Sequence, residues 1–234
     1  MGPAQLTSML LLADGRTPSG GHAHSAGVEA AVADGRVHDL ASLEAFTEGR
    51  LRTTGFVDAA LAACTVRHLE MAATAAEGGA VLLGLDHEAD VRILAPPLRA
   101  ASRRLGRQLV RVAARCWPSA TLAGAVDIRP DGLHQSVALG AVALSAGIDE
   151  AGAAALVLHH ALTTPTQAAL KLLGLDPFEV AALVVRLGPV SSTLLAAARV
   201  AAAGALGDLP AASSPLCEIA AVEHHRWPVR MFAT

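Results

Sequence analysis

The chain has 234 residues and a formal net charge of −3 at pH 7; 53% of its residues are hydrophobic, 3% are aromatic and none is tyrosine. The acidic balance and the scarcity of aromatic side chains exclude a typical nucleic-acid-binding protein, which needs basic and stacking side chains. The longest run without a charged residue, 151–170, contains histidine, threonine and proline and is too polar for a transmembrane helix.

The amino terminus, "MGPAQLTSMLLLADG", has neither the basic start nor the longer apolar run of a secretory signal peptide. We therefore expect a cytoplasmic protein. The three cysteines, Cys64, Cys116 and Cys217, are far apart in the sequence. Their spacing favours buried, reduced thiols over a disulfide framework or a zinc site.

The next segment, "RTPSGGHAHSAGVEAA" at 16–31, concentrates glycine and histidine in an otherwise alanine-rich and leucine-rich chain. Three interpretations compete: a phosphate-binding glycine loop, a metal site at His22 and His24, and a docking surface held by a tight turn. A P-loop needs a lysine after its second glycine, and the only lysine in the sequence, Lys171, lies far away. The two histidines can share one ion only if the loop is extended.

Most segments between glycines and prolines carry apolar residues at helical spacing, and no long alternating stretch predicts a strand. The sequence therefore predicts an all-α fold, a single domain over 1–234 with about ten helices. Asp176 and Ser214, each followed by a proline, are clear helix start signals. The predicted helices are 40–54, 57–76, 98–116, 137–146, 150–173 with a kink near Pro165, one from 176, 192–206 and one from 214.

The predicted helix 98–116 is amphipathic. Its apolar side chains share one face, and the opposite face carries Arg99, Arg103, Arg107 and Arg111. Seven arginines and no acidic residue lie in 91–126, so no neighbour in the segment neutralises them. Two interpretations stay open: a solvated basic face, or a surface for an acidic partner. On the second, reversing Arg103 and Arg107 should weaken partner binding and leave stability nearly unchanged.

The carboxyl end, "EHHRWPVRMFAT", places Trp227, Met231 and Phe232 beside arginines at a chain terminus. Large aromatic side chains and arginines dominate interface hot spots. This composition favours a docking tail at about 213–234. Packing of the tail on the chain's own core is an equally weighted alternative.

Taken together, these segments resemble the UreF family of urease accessory proteins. "PSGGHAHSAGVE" is similar to the family's amino-terminal signature, "SRRLGR" to its Ser-Arg-Gln-x-Gly-Arg motif, and "HQSVALG" to its His-x-Pro-Val-Ala-x-Gly motif. The ending "HHRWPVRMF" is similar to the family's His-Glu-x-x-x-x-Arg-Leu-Phe. The four motifs occur in the family's order and spacing over essentially the whole chain.

The resemblance implies an all-helical homodimer that acts as a non-catalytic scaffold, without a cofactor or a resident metal of its own. It would bridge the accessory protein UreD, also called UreH, and the GTPase UreG, and so recruit nickel delivery to apo-urease. Glycines of the amino-terminal loop, Gly20, Gly21 and Gly27, would allow close backbone approach. The residues expected at partner or dimer interfaces are Gly20, Gly21, His24, Ser25, Glu29, Arg99, Arg103, Arg107, Arg111, His224, Arg230 and Phe232.

Two alternatives belong to other functional classes. A nickel metallochaperone would carry the ion itself through His22, His24 and the His224/His225 pair, across a two-fold axis. An α-helical hydrolase would use Ser25 as its nucleophile and would need a base held by a third group.

Overall fold

The computed structural model describes residues 2–18 and 21–233, and within these ranges it contains twelve α-helices and no strand longer than a single bridge. The all-α prediction is therefore confirmed. The helices are α1 (Pro3–Ala13), α2 (Val28–Ala33), α3 (Leu40–Arg50), α4 (Phe56–Met71), α5 (Ala75–Arg92), α6 (Pro96–Cys116), α7 (Ala120–Ile128), α8 (Gln135–Ser145), α9 (Glu150–Leu173), α10 (Pro177–Arg186), α11 (Gly188–Ala202) and α12 (Pro215–His225).

Helix α4 lies at the centre of the fold and packs against α8, α9 and α11. Four of its ten buried positions are alanines, at 59, 60, 62 and 63. Small side chains let helix axes approach closely. The closest approach is at Gly140 of α8, where a Cβ atom would lie 2.5 Å from Cβ of Thr65 and 2.7 Å from the carbonyl oxygen of Ala62. Much of the chain's alanine content thus serves tight helix packing.

The first two predicted helices form one continuous helical segment. A π-helical turn at Leu51–Gly55 joins α3 to α4, so the predicted break between 54 and 57 is wrong. The segment ends at Met71 and not at 76. A capping box explains why α5 begins at Ala75. The Thr74 hydroxyl accepts from the Glu77 amide, and the Glu77 carboxylate accepts from the Thr74 amide.

The predicted helices 98–116, 137–146 and 150–173 are confirmed to within two residues as α6, α8 and α9. Asp176 caps α10 through the Phe178 amide at 2.9 Å, and α12 begins after Ser214 as predicted. Helix α9 continues through Pro165. Helix α11 begins at Gly188, four residues before the predicted start, because Pro189 occupies its first turn. Helices α1, α2, α5 and α7 were not predicted.

Within the described ranges, no single helix is both long and apolar enough to cross a bilayer. Helices α10 and α11 are long and apolar enough only when taken together, and the two helices are bent by 41° relative to each other.

Candidate functional site

The amino-terminal loop turns sharply into α2. Gly27 has a φ of 87° and Ala26 a φ of 52°, a left-handed conformation that favours glycine. The carbonyl of Ser25 accepts from the Val28 amide at 3.1 Å, and the buried Ser25 hydroxyl accepts from the Glu29 amide at 3.4 Å. Ser25 thus holds the start of α2 in place.

Glycine is required at Gly27 and not at Gly21. Gly21 has no positive φ, and a Cβ atom built on it would meet no described heavy atom within 4 Å. Within the described chain, Gly21 therefore makes no close approach, and its role at an interface stays a prediction. Gly20 lies outside the described residues.

Glu29 connects this loop to the carboxyl-terminal tail. Its buried carboxylate accepts from Nε2 of His224 at 2.9 Å, from the Met231 amide at 2.7 Å and from the Phe232 amide at 3.0 Å. The Ala233 amide also donates to the carbonyl of residue 23 at 2.7 Å. The tail therefore packs on the chain itself, as the second of the two interpretations expected.

The tail nevertheless has an outer face. The side chains of His224 and Phe232 point inward and are almost fully buried, whereas Val229 is 83% exposed and Met231 is 62% exposed. Arg230 is also exposed. Of the predicted interface residues in this tail, only Arg230 lies on the outer surface.

The arginine helix α6 does not present all its arginines to solvent. Nη1 of Arg103 lies 2.9 Å from Oδ2 of Asp86, and its Nη2 lies 2.9 Å from Oδ1 of Asp90. Arg99 donates to the carbonyls of Ile93 and Leu94. Neither open interpretation, a solvated face or a partner surface, therefore holds at Arg103, because the α5 carboxylates of Asp86 and Asp90 reach it across the helix pair. Arg107 and Arg111 are exposed.

Asp86, which is fully buried, organises the third motif. It also accepts from Nε of Arg129 at 2.9 Å and from the amide of His134 at 2.8 Å. Nε2 of His134 lies 3.0 Å from Asp90, and burial lowers the pKa of this imidazole, partly offset by the hydrogen bond to Asp90. Sequence reasoning missed both aspartates; their i, i+4 spacing was the available signal, but the helix carrying them was not predicted.

The glycine of "SRRLGR" has a packing role. A Cβ atom on Gly106 would collide with the carbonyl oxygen of Leu133, so the chain before α8 can lie against α6 only when this residue lacks a side chain. The Gln135 amide then donates to the Ser102 hydroxyl at 3.0 Å. The second and third motifs are therefore joined directly.

All four motifs meet at one partly open cavity of about 230 Å³. It lies between the amino-terminal loop, the π-helical turn, α6, the start of α8 and α12. The residues that the motifs contribute to its wall include His24, Ser25, Ser102, Ser136 and His224. The four sequence motifs thus lie around a single site in the fold.

The wall formed by the π-helical turn and α8 is polar. Nε of Arg50 and the hydroxyl of Thr54 are buried without a hydrogen-bond partner among the described residues. Burial raises the pKa of the Asp58 carboxyl to about 6, against the lowering effects of Ser136 and Arg50. Polar groups of this kind are satisfied by solvent or by a bound polar molecule.

The histidines do not assemble into a metal centre. Across 2–18 and 21–233, no three His, Cys, Asp or Glu side chains are grouped to hold an ion. His22 is exposed, and burial lowers the pKa of the half-buried His24 to about 4, helped by the positive charge of Arg104. His24 is therefore neutral at physiological pH.

Comparison with known proteins agrees with the motifs. The UreF family model matches residues 37–188. The urease accessory protein UreF of Mycolicibacterium vanbaalenii is 39% identical over 231 residues, 99% of this chain and 100% of that protein. UreF of Mycobacterium sp. (strain JLS) is 40% identical, covering 98% and 99% of the two chains. UreF of Mycobacterium tuberculosis (strain H37Rv) is 38% identical, covering 94% of each chain.

Proposed function

Since the chain belongs to the UreF family of urease accessory proteins, we propose that it is a non-catalytic, cytoplasmic scaffold of urease maturation. It would bridge a UreD/UreH-type accessory protein and a UreG-type GTPase, and so bring GTP-dependent nickel insertion to apo-urease. Nickel is the cargo of that complex, and this chain would hold its protein partners.

The observation that carries this proposal is the joining of loop and tail through Glu29. Three donors converge on one buried carboxylate, which fixes the tail backbone and presents Val229 and Met231 to the outside. Exposed apolar side chains on a fixed backbone are suited to a partner, because little entropy is lost on binding.

Homodimerisation is the second part of the proposal. Helix α10 is apolar on two sides: Val180 and Leu183 are buried, whereas Phe178 is 82% exposed and Val185 is 76% exposed. Large exposed apolar side chains that share one helix are normally covered by another surface. We propose that a second copy of the chain covers this face.

The tail is tested by changing its outer side chains while Phe232 stays in place. The double variant Val229→Asp, Met231→Asp should keep wild-type helicity and melting temperature, because both side chains are mostly exposed. It should lose recruitment of the UreG-type GTPase by the complex and fail to activate urease in a co-expression host. Pull-down, circular dichroism and urease activity measure these three properties.

A matched control is Val91→Asp, Val126→Asp, which changes two exposed valines on α5 and α7 and should assemble normally. Normal recruitment by the tail variant would refute the docking role of the tail. Stoichiometric nickel binding by the isolated chain would favour the metallochaperone instead. Removing 226–234 outright is a poorer test, because the buried Glu29 carboxylate then loses two of its three donors, the Met231 and Phe232 amides.

A further inference from the structure

The outer face of α6 carries a row of arginines that take no part in the internal ion pairs. Arg107, Arg111 and Arg115, here called the α6 ridge, are all exposed. In the part of the chain that the structure describes, none of them lies within 4.0 Å of a carboxylate oxygen. Arg103 on the same helix is bound to two aspartates. Helix α6 therefore carries one internally paired arginine and, on its outer face, a row of exposed arginines.

Helix stability does not account for the α6 ridge. Like charges four residues apart repel one another and destabilise a helix. A favourable interaction with the helix dipole falls off within the last turn, so it favours Arg115 but does not reach Arg107. Helix α6 contains no acidic residue, and the whole chain has a net charge of −3. The cationic row is therefore a local feature and not the result of a generally basic composition.

The spacing of the α6 ridge defines the chemistry of its partner. Residues four apart on a helix rise by about 6 Å, so the row spans about 12 Å with one guanidinium per step. Guanidinium groups bind carboxylates through paired hydrogen bonds. Helix α6 contains no aromatic residue, whereas surfaces for single-stranded nucleic acid interleave aromatic and basic side chains. An acidic protein face fits this row better than a nucleic acid does.

We propose that the α6 ridge is a docking site for an acidic surface of a protein partner, one that presents carboxylates about 6 Å apart. The inference rests on the proposed function, because a scaffold of urease maturation needs a surface for each protein it joins. The proposal adds a second, positively charged contact surface to the scaffold, in addition to the apolar outer face of the tail. The ridge replaces the predicted set at this helix: Arg99 and Arg103 are used internally, and Arg115 joins Arg107 and Arg111.

The test compares two double charge reversals in the full chain. The ridge variant is Arg107→Glu, Arg111→Glu, and the control is Arg52→Glu, Arg199→Glu, which reverses two exposed arginines on other elements. Unlike the ridge arginines, each control arginine lies beside a glutamate, Glu48 and Glu150 respectively, so the melting curve of the control is compared first. Affinity for the UreD-type protein and for the UreG-type GTPase is measured by calorimetry at several salt concentrations. The ridge variant should bind one partner at least about tenfold more weakly, with a flatter salt dependence. The control should bind like the wild type.

Several outcomes would overturn the inference. Equal affinity and equal salt dependence of the ridge variant and the control would show that the α6 ridge is only solvated, and would leave the scaffold function standing. Loss of binding to a single-stranded oligonucleotide probe, with partner affinity unchanged, would identify a nucleic acid as the ligand. Failure of the wild-type chain to bind either protein would refute the proposed function together with the ridge. Circular dichroism and melting curves verify that both variants fold.

Discussion

Two titratable residues on the wall of the cavity change the stability of the protein with pH in opposite directions. Asp58 has a pKa raised by burial to about 6, so its contribution to stability is fully present below about pH 4 and is lost as pH rises through 6. His24 has a pKa lowered by burial to about 4. Its contribution is present above about pH 6.5 and is lost as pH falls through 4. The two effects partly cancel in the wild-type chain.

Substitution of Asp58 by asparagine should remove the pH-dependent contribution of Asp58 and leave that of His24. Asparagine resembles the neutral carboxyl, so Asp58→Asn should stabilise the protein at about pH 7.5 by up to about 3 kcal/mol, from roughly two pKa units at about 1.4 kcal/mol each. The difference should fall towards zero at about pH 4, where the wild-type carboxyl is also protonated. Urea unfolding of both proteins across this range measures it. A difference that stays constant with pH would contradict the assigned pKa, and Asp208→Asn, an exposed carboxylate, is the control.

At the scale of elements, α6 carries two charged surfaces with different energetics. Arg103→Glu would place a third carboxylate beside the fully buried Asp86 and the partly exposed Asp90, and removal of one partner from a buried pair such as Arg103–Asp86 costs about 3–5 kcal/mol. Arg107→Glu changes an exposed side chain and should alter the free energy of unfolding by less than about 0.5 kcal/mol. Denaturant unfolding of the two single variants measures both values. Equal effects would show that the network at Asp86 contributes little.

The helices that sequence reasoning found are those with strong local signals. Helix α6 has a clear apolar stripe, and α10 has an aspartate cap followed by proline. Helix α5 was missed because Gly78, Gly79 and Gly84 lower its helix propensity, and its packing against α4 and α7 overrides that preference. The π-helical turn has no sequence signal of its own, since it depends on how α3 and α4 pack.

The site was predictable as a set of residues and not as a set of contacts. The resemblance identified Glu29 and His224, but nothing in the sequence shows that residues 195 positions apart form a 2.9 Å hydrogen bond. The error at Arg103 has a similar cause. The acid-free segment 91–126 was considered alone, whereas the carboxylates that bind Arg103 lie on the preceding helix. Charge balance is a property of packed helices and not of a sequence window.

At the scale of the whole molecule, the outer face of α10 suits pairing with a copy of itself. Phe178 and Val185 lie seven residues apart, with the exposed alanines 181 and 182 between them. In an antiparallel pair, the small residues would allow close approach at the centre, and each Phe178 would contact Val185 of the second copy.

The double variant Phe178→Asp, Val185→Asp should therefore convert a dimer into a monomer without unfolding it. Both side chains are mostly exposed in the isolated chain, so little intrachain burial is lost, whereas two carboxylates per copy would be buried at a symmetric interface without partners. Light scattering after size exclusion measures the mass, and a melting curve verifies the fold. The exposed α11 residue Val200, changed to aspartate, is the control, since it lies off α10 and should leave the mass unchanged. A wild-type chain that is monomeric at micromolar concentration, or a variant that stays dimeric, would refute pairing of two copies through α10. Loss of mass together with normal urease activation would show that the dimer is dispensable for the scaffold.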